Sequence, residues 1–428
     1  MGGNPRTRLR PEGRIGHPIN HKLRTLIGKN MSQRHHGITA KEYTEGIRPI
    51  SDISTAIIGM VCTGEDADAK AFPLNTPIFH ASAYQALGKA GSKGTLAKSL
   101  DAIVDQADAQ IVVVRVAADK NADQQKANVI GTAEGGVYTG LKALARSKAV
   151  TGFVPKILGV PELDSQDVVT ELAGIAQATR AFVYASAGGA ADISEVKSYK
   201  NNFGQREVML IDNEFMAFDA ASGKNDTAAT IARVLGARAK LDAQIGWHKS
   251  ISNTEINGVS GLKFARSFDI LDANCEANTL NNADVSTLVR EKGFRVWGNR
   301  TCSADPMMAF EVAVRSAQII QETIAGGFLW AIDKPMHPSL IEDILMGINA
   351  KLAEFVAQGR ILGARVYLDR AKVTPEAVKS GQFPVSYEWT YVPPLENLLI
   401  EQHNTDTFFV NLVEKTISFA NTLRPTTV

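Results

Sequence analysis

The chain has 428 residues, 44% of them apolar and 21% charged, with a formal net charge of +1. That length predicts two or three domains, and the composition is that of a soluble globular protein. No apolar run approaches the roughly 18–20 residues needed to cross a bilayer, and the N-terminal region lacks the apolar stretch of a secretory signal, so a cytoplasmic product without a membrane span is expected.

Taken in chain order, residues 1–30 carry a local charge of +6, from Arg6, Arg8, Arg10, Arg14, Lys22, Arg24 and Lys29 against Glu12, which leaves −5 for the rest. This Gly-, Pro- and Asn-containing stretch has little apolar periodicity and reads as a basic disordered extension, possible nucleic-acid binding being outweighed by a natural start at Met31. From residue 51 to about 280, short β-branched runs alternate with amphipathic stretches. QIVVVRV (110–116), PKILGVP (155–161), RAFVYAS (180–186) and REVMLID (206–212) have the length and apolar density of strands covered on both faces. SQDVVTELAGIAQATR and DISEVKSYKNNF between them show helical spacing, with Ser165 and Asp192 as candidate caps. The alternation predicts an α/β domain with a largely parallel sheet.

Past residue 283 the texture changes. Residues 303–327 predict one long helix opened by Asp305 and Pro306 and closed on Gly326 and Gly327. PSLIEDILMGINAKLAEFVAQGR predicts a second, with Ile341, Ile344, Leu345, Ile348, Leu352 and Phe355 on one stripe. Val385, Tyr387, Trp389 and Tyr391 alternate with polar residues in a half-buried strand stopped by Pro393 and Pro394. This part is α+β, and the boundary falls near residue 280.

None of the chemical motifs closes. GKAGSKGT (88–95) resembles a phosphate loop, but Lys93 precedes Gly94 where a P-loop lysine follows its last glycine, so a turn before a helix is expected. ASAGGAAD (185–192) lacks the dinucleotide spacing and reads as a connecting loop. His35 and His36 have no ligand partners at metal spacing, and His248 and His403 stand singly. Glu342, Asp343 and Glu354 describe a solvated helix face. Cys62, Cys275 and Cys302, odd in number and far apart, fit neither a disulfide framework nor a zinc site and read as packed thiols. The reading therefore assigns no catalytic residue, no metal and no cofactor.

Several segments taken together carry a resemblance. HHG (35–37), STAIIGMVCT (54–63), FPLNTP (72–77), KGTLAKSLDAIVDQ (93–106), PKILGVPELD (155–164), GWHKSISNTEINGVSG (246–261), GFRVWGNRTCSADP (293–306), WAIDKP (330–335) and VPPLENL (392–398) stand in this order. In that order they resemble the major tail sheath proteins of temperate contractile-tailed phages, and the sequence is similar to the sheath of R-type contractile bacteriocins. The resemblance runs from about residue 31 to the C-terminus. It implies a structural virion protein of a contractile injection system. Subunits polymerise as helically stacked six-fold rings around a tail tube, meet baseplate and tail terminator proteins, and contract to drive the tube through the bacterial envelope for genome ejection. Assembly in the host cytoplasm, residence in the virion tail, and neither a nucleic acid nor a membrane partner are implied.

The fold implied is an outer α/β domain (53–280) inserted into an α+β core (281–413), with an N-terminal arm (31–52) and a C-terminal arm (414–428) that add strands to neighbouring subunits. On this view Ile38 and Tyr43 lie in the first arm, where HHGITAKEYTEGIRPIS has strand-like composition and ten residues reach about 30 Å. Ile417 and Phe419 lie in the second, within EKTISFANTL. Lys351 and Arg360, on the polar side and exit of the second long helix, are expected to face the tube. GFRVWGNRTCS is expected to form a strand and turn, with Phe294 and Trp297 in the core, Gly298 in a glycine conformation and Asn299 or Arg300 satisfying carbonyls; Trp330 is also structural. The alternative is an α/β enzyme holding a nucleotide or sugar phosphate near residues 186–192.

Overall fold

The computed structural model of the chain describes residues 50–219 and 223–423. The basic extension, the paired histidines, and Ile38 and Tyr43 of the N-terminal arm lie outside the described residues.

The four β-branched runs become strands of one sheet. Its members are β1 (Ile58–Thr63), β2 (Ile78–His80), β3 (Ile111–Val116), β4 (Ile157–Gly159), β5 (Phe182–Ser186) and β6 (Val208–Ile211). They lie in the order β2-β3-β1-β4-β5-β6, all parallel except the edge strand β2. Alternate side chains go to opposite faces, so the sheet needs two covers. Ile58, Met60, Ile111 and Val113 share one hydrophobic cluster with α1 (Leu96–Val104) and α3 (Thr230–Gln244), while Val61, Val112, Val114 and Leu158 share the opposite cluster with the short helix Gly140–Leu144 and α2 (Gln166–Thr179). Arg115 interrupts β3 without breaking it, because its guanidinium donates to the Phe72 and Gly64 carbonyls.

α3 was not visible in the sequence pattern. It is buried nearly all round, including Arg233 and Arg238, so it carries no apolar stripe to detect. At Gly236 the helix meets the end of α1 so closely that a Cβ would stand 2.9 Å from the Ile103 carbonyl oxygen.

Short antiparallel pieces follow. β7 (Phe215–Asp219) lies between β8 (Lys224–Thr227) and β10 (Gly261–Leu262). β12 (Phe294–Trp297) lies between β9 (Thr254–Glu255) and β11 (Thr287–Arg290). Around β11, Ser286 exchanges backbone hydrogen bonds with Leu210 and Asp212, so this second group covers the outer edge of β6. The change of texture near residue 283 is thus not a gap in packing.

The long helix expected from residue 305 begins later. Asp305 caps a single 3-10 turn, Pro306–Met308, by accepting from the Met307 amide; Phe310 then bridges to Arg300 and α4 runs Glu311–Gly327. α5 (Pro338–Ala357) follows, then the hairpin of β13 (Ile361–Tyr367) and β14 (Ser386–Tyr391). Ile319, Ile320, Leu352, Phe355 and Trp247 form the cluster that joins them. The C-terminal segment expected as a strand is instead a helix, α6 (Thr407–Thr422). Its sequence repeats apolar residues at three- and four-residue spacing, a period that a strand cannot place on one face. Among the described residues no helix is long and apolar enough to cross a membrane.

Gly236→Ala should lower stability by about 1–3 kcal/mol, the range for overpacking a close helix contact, read as a lower urea midpoint with an unchanged slope. An unchanged midpoint would show that α1 and α3 are free to separate.

Candidate assembly site

The joint between the sheet and the C-terminal helices is electrostatic. Tyr184 on β5, Arg238 and Asp242 on α3, and Glu311 and Arg315 on α4 meet with side chains at most 2% exposed. Arg238 pairs with Asp242 at 2.7 Å and Glu311 at 3.1 Å, and donates to the Lys249 carbonyl at 2.6 Å. Arg315 forks onto Asp242, one arm at 2.9 Å. Tyr184 donates its hydroxyl to Glu311, which also accepts the Ile251 amide at 3.0 Å. Two cations and two carboxylates thus neutralise one another inside the fold, as buried charges require. Burial pushes the Asp242 carboxyl up, yet Arg315 and Arg238 overcome it and hold the group below the usual carboxylate range. Burial and the Glu311 charge together push the Tyr184 phenol well above its ordinary value.

A second ionic group ties the N-terminal end of the described chain to α5. Lys351 reaches Asp52 at 2.6 Å and Glu354 at 3.0 Å, and Arg360 reaches Asp52 at 3.1 Å. Lys351 is 4% exposed and lies over the Phe355 ring, so it does not sit on an open polar face as expected; its ammonium is spent inside the chain. Arg360 keeps 24% of its side chain in solvent. Ile50 and Ile53 enter the same region, against Gly327 and the Trp247 cluster.

The GFRVWGNRTCS segment forms β12 and a turn. Gly298 has φ +134°, and a Cβ there would fall 2.5 Å from Ser286 Oγ. Phe294 is partly buried on the main core, whereas Trp297 packs against Phe268 in a small cluster with Cys275, Ala277 and Val289. Asn299 is buried and its carbonyl accepts the Glu311 amide. Among the described residues the Arg300 side chain meets no carbonyl. It forms a two-point pair with Glu396, 2.8 Å on each arm, and stacks over Phe310. The two motifs WGNRT and VPPLEN are therefore one contact, which their 96-residue separation conceals in sequence. Cys302 is buried with its thiol pushed up to about 12, unsuited to nucleophilic attack. Trp330 lies in the 3-10 turn Leu329–Ala331 with Lys334 over its ring.

The two loops with ligand-like sequences are internally occupied. In GKAGSKGT the amides of Ser92 and Lys93 donate to the Asp66 carboxylate, which they hold down to about 2. In ASAGGAAD, Asp192 caps the next helix through the Ser194 amide, and Arg266 fills the neighbourhood by donating to Ala190 and Ala191. Beside that loop Asp164 accepts the Ser186 amide at 2.6 Å; burial, then the charges of Glu214 and Glu162, push its carboxyl up to about 6.

Beyond Tyr391 the chain leaves the body. Among the described residues β13 and β14 pair only with each other, so each presents an open edge. Residues 395–423 are exposed throughout, including Phe408, Phe409, Leu412, Ile417 and Phe419 of α6.

Among the described residues, open sheet edges and an uncovered apolar helix are features of the polymer-forming structural class. Comparison with known proteins agrees. The phage tail sheath protein central domain matches residues 136–302 and the phage tail sheath C-terminal domain residues 303–405. The tail sheath protein of Escherichia phage P2 is 47% identical over 90% of this chain and 98% of its own length, and the major tail sheath protein of Serratia phage KSP20 is 40% identical over 87% and 96%. The helical sheath of the anti-feeding prophage in its contracted state aligns with TM-score 0.65 at 17% identity, covering 87% of this chain and 100% of that one. The chain belongs to the phage tail sheath protein family. It is a structural tail sheath protein and not an enzyme, and the nucleotide or sugar-phosphate alternative falls away.

Arg315→Ala should cost about 3–5 kcal/mol, because Asp242 and Glu311 stay buried with half their counter-charge, and a chemical denaturation curve reads it. A loss under about 1 kcal/mol would mean that the joint is hydrated. Asp164 is a raised carboxyl, so its stabilising contribution is full below the unfolded pKa and is lost as pH rises through about 6. Asp164→Asn, which keeps an acceptor for Ser186, should therefore gain on the parent protein in melting temperature between pH 5 and pH 8. A pH-independent difference would remove the assignment.

Proposed function

We propose that this chain is the repeating unit of a contractile sleeve, stacked in helically offset six-fold rings around a tail tube within the phage tail. Assembly takes place in the host cytoplasm, and contraction drives the tube through the envelope. Contacts to the tube, the baseplate and the tail terminator complete the set of partners. The likeness to an anti-feeding prophage baseplate, described as six-fold symmetrised, and to contracted sheaths supports the reading.

The subunit is an outer domain (53–280) inserted into a core (281–413) that also takes the N-terminal segment. Asp52 and Ile53 packed on α5 before β1 enters the large sheet support this path. Backbone pairing at the open edges of β13 and β14 is the task of the arm carrying Ile38 and Tyr43, since strand addition needs no particular side chains. The C-terminal segment, helical around Ile417 and Phe419, instead buries its apolar stripe on a neighbouring copy. The exit of α5 near Gln358 and Arg360 faces the tube, with Lys351 behind it holding the N-terminal segment. Trp297, Gly298, Asn299 and Trp330 hold the shape of the core.

The exposed segment 395–423 is the observation that carries this function. A helix of 16 residues with no buried side chain is marginal in water by itself and gains its stability from a partner. Purified full-length chain should form hollow cylinders in electron micrographs. A chain ending at residue 396 should remain folded, with an unchanged melting temperature, and form none. Cylinders of ordinary length from the shortened chain would sink the role given to the C-terminal segment.

A further inference from the structure

We propose that the Arg300–Glu396 pair is a clip that fixes where the C-terminal segment leaves the body, and so sets the geometry of assembly without holding the fold. The proposal rests on the reading that residues beyond 396 engage a neighbouring copy.

The pair stands at a change of regime. β14 ends at Tyr391, the next residues have no regular structure, and from Leu395 onward every described residue is exposed. Glu396 lies two residues past Pro394, at the start of that departure. Its carboxylate takes both Nε and Nη2 of Arg300, each at 2.8 Å. A two-point fork fixes direction as well as distance, which a single ammonium does not. Arg300 is itself braced on the body side: its backbone bridges to Phe310, its guanidinium lies 5.1 Å above the Phe310 ring, and that ring stands edge-on to Tyr391 at 6.4 Å. The hydrogen bonds that Arg300 donates to Glu396, and after them the Glu396 charge, raise the arginine above its ordinary value.

Energetics separate this role from a structural one. The side chains are 36% and 39% exposed, so the pair adds little to the stability of the isolated subunit. It removes freedom from the segment that follows. A tethered segment binds a neighbour in proportion to the fraction of time it points there, and a fixed exit raises that fraction before any contact is made.

The test uses the full-length chain and measures the concentration at which sleeves appear, by sedimentation, alongside the melting temperature of the unassembled subunit. Glu396→Gln should raise the threshold about fivefold, the equivalent of one exposed pair, and leave the melting temperature unchanged. Arg300→Lys should give a smaller rise, and the swap Arg300→Glu with Glu396→Arg should recover most of the loss. High salt should narrow the gap between parent and variant. An unchanged threshold for Glu396→Gln, a fall in melting temperature that tracks the threshold, or a swap that recovers nothing would each overturn the clip. The chain ending at residue 396 keeps the pair but lacks the segment. If it assembles like the full chain, the reading beneath the proposal fails instead.

Discussion

The buried charge group of Tyr184, Arg238, Asp242, Glu311 and Arg315 is the constraint on which the rest of the subunit depends. Taking four charges out of water is expensive, and the cost is recovered only because each carboxylate is met by cations and by further donors in fixed directions. That requirement binds three elements at once: a strand of the large sheet, a helix buried nearly all round, and the first two turns of the helix that leads into the C-terminal part. α4 then serves two cores. Its first half answers the sheet through Arg315 and Gln318, and its second half packs with α5 through Ile320 and Ile324. A body joined in this way resists internal bending, because any rotation between its parts would strip charges of their partners. Movement belongs to the segments that the body leaves uncovered.

Those segments have the opposite physics. The edges of β13 and β14 and the apolar residues of α6 are free of internal partners among the described residues, and the exposed ion pair at their root is weak by the same argument that makes the buried group strong. Strong internal and weak external terms let copies rearrange relative to one another while each keeps its fold. A polymer multiplies small differences per contact over many subunits, so no single contact has to be large.

The main sheet has the open parallel layout on which many enzymes place a ligand at the carboxyl ends of the strands. Here the groups at those ends are turned inward: Asp66 occupies the amides of the 88–95 turn, and Arg266 is spent on Asp212 and on the loop before residue 192. Such architecture hosts unrelated tasks, and the task is read from the site rather than from the sheet.

The sequence alone determined the elements whose periods are simple. Parallel strands buried on both faces read as unbroken apolar runs, α5 reads as a stripe, and the strand at 386–391 alternates. The ordered motifs marked the family. What the sequence could not show was decided by distance in space. α3 carries charge on a buried surface because its partners arrive from residues 311 and 315, so its period is masked. Lys351 looks like a solvated residue until Asp52 folds over it, and Arg300 reads as a partner for turn carbonyls until Glu396 comes back to it. The C-terminal segment has a β-branched, aromatic composition that suits a strand, while its three- and four-residue spacing makes a helix once nothing pairs with its backbone. Composition and period are local quantities and can be read along one chain. Which charge meets which is a matter of closure, and only the folded structure settles it.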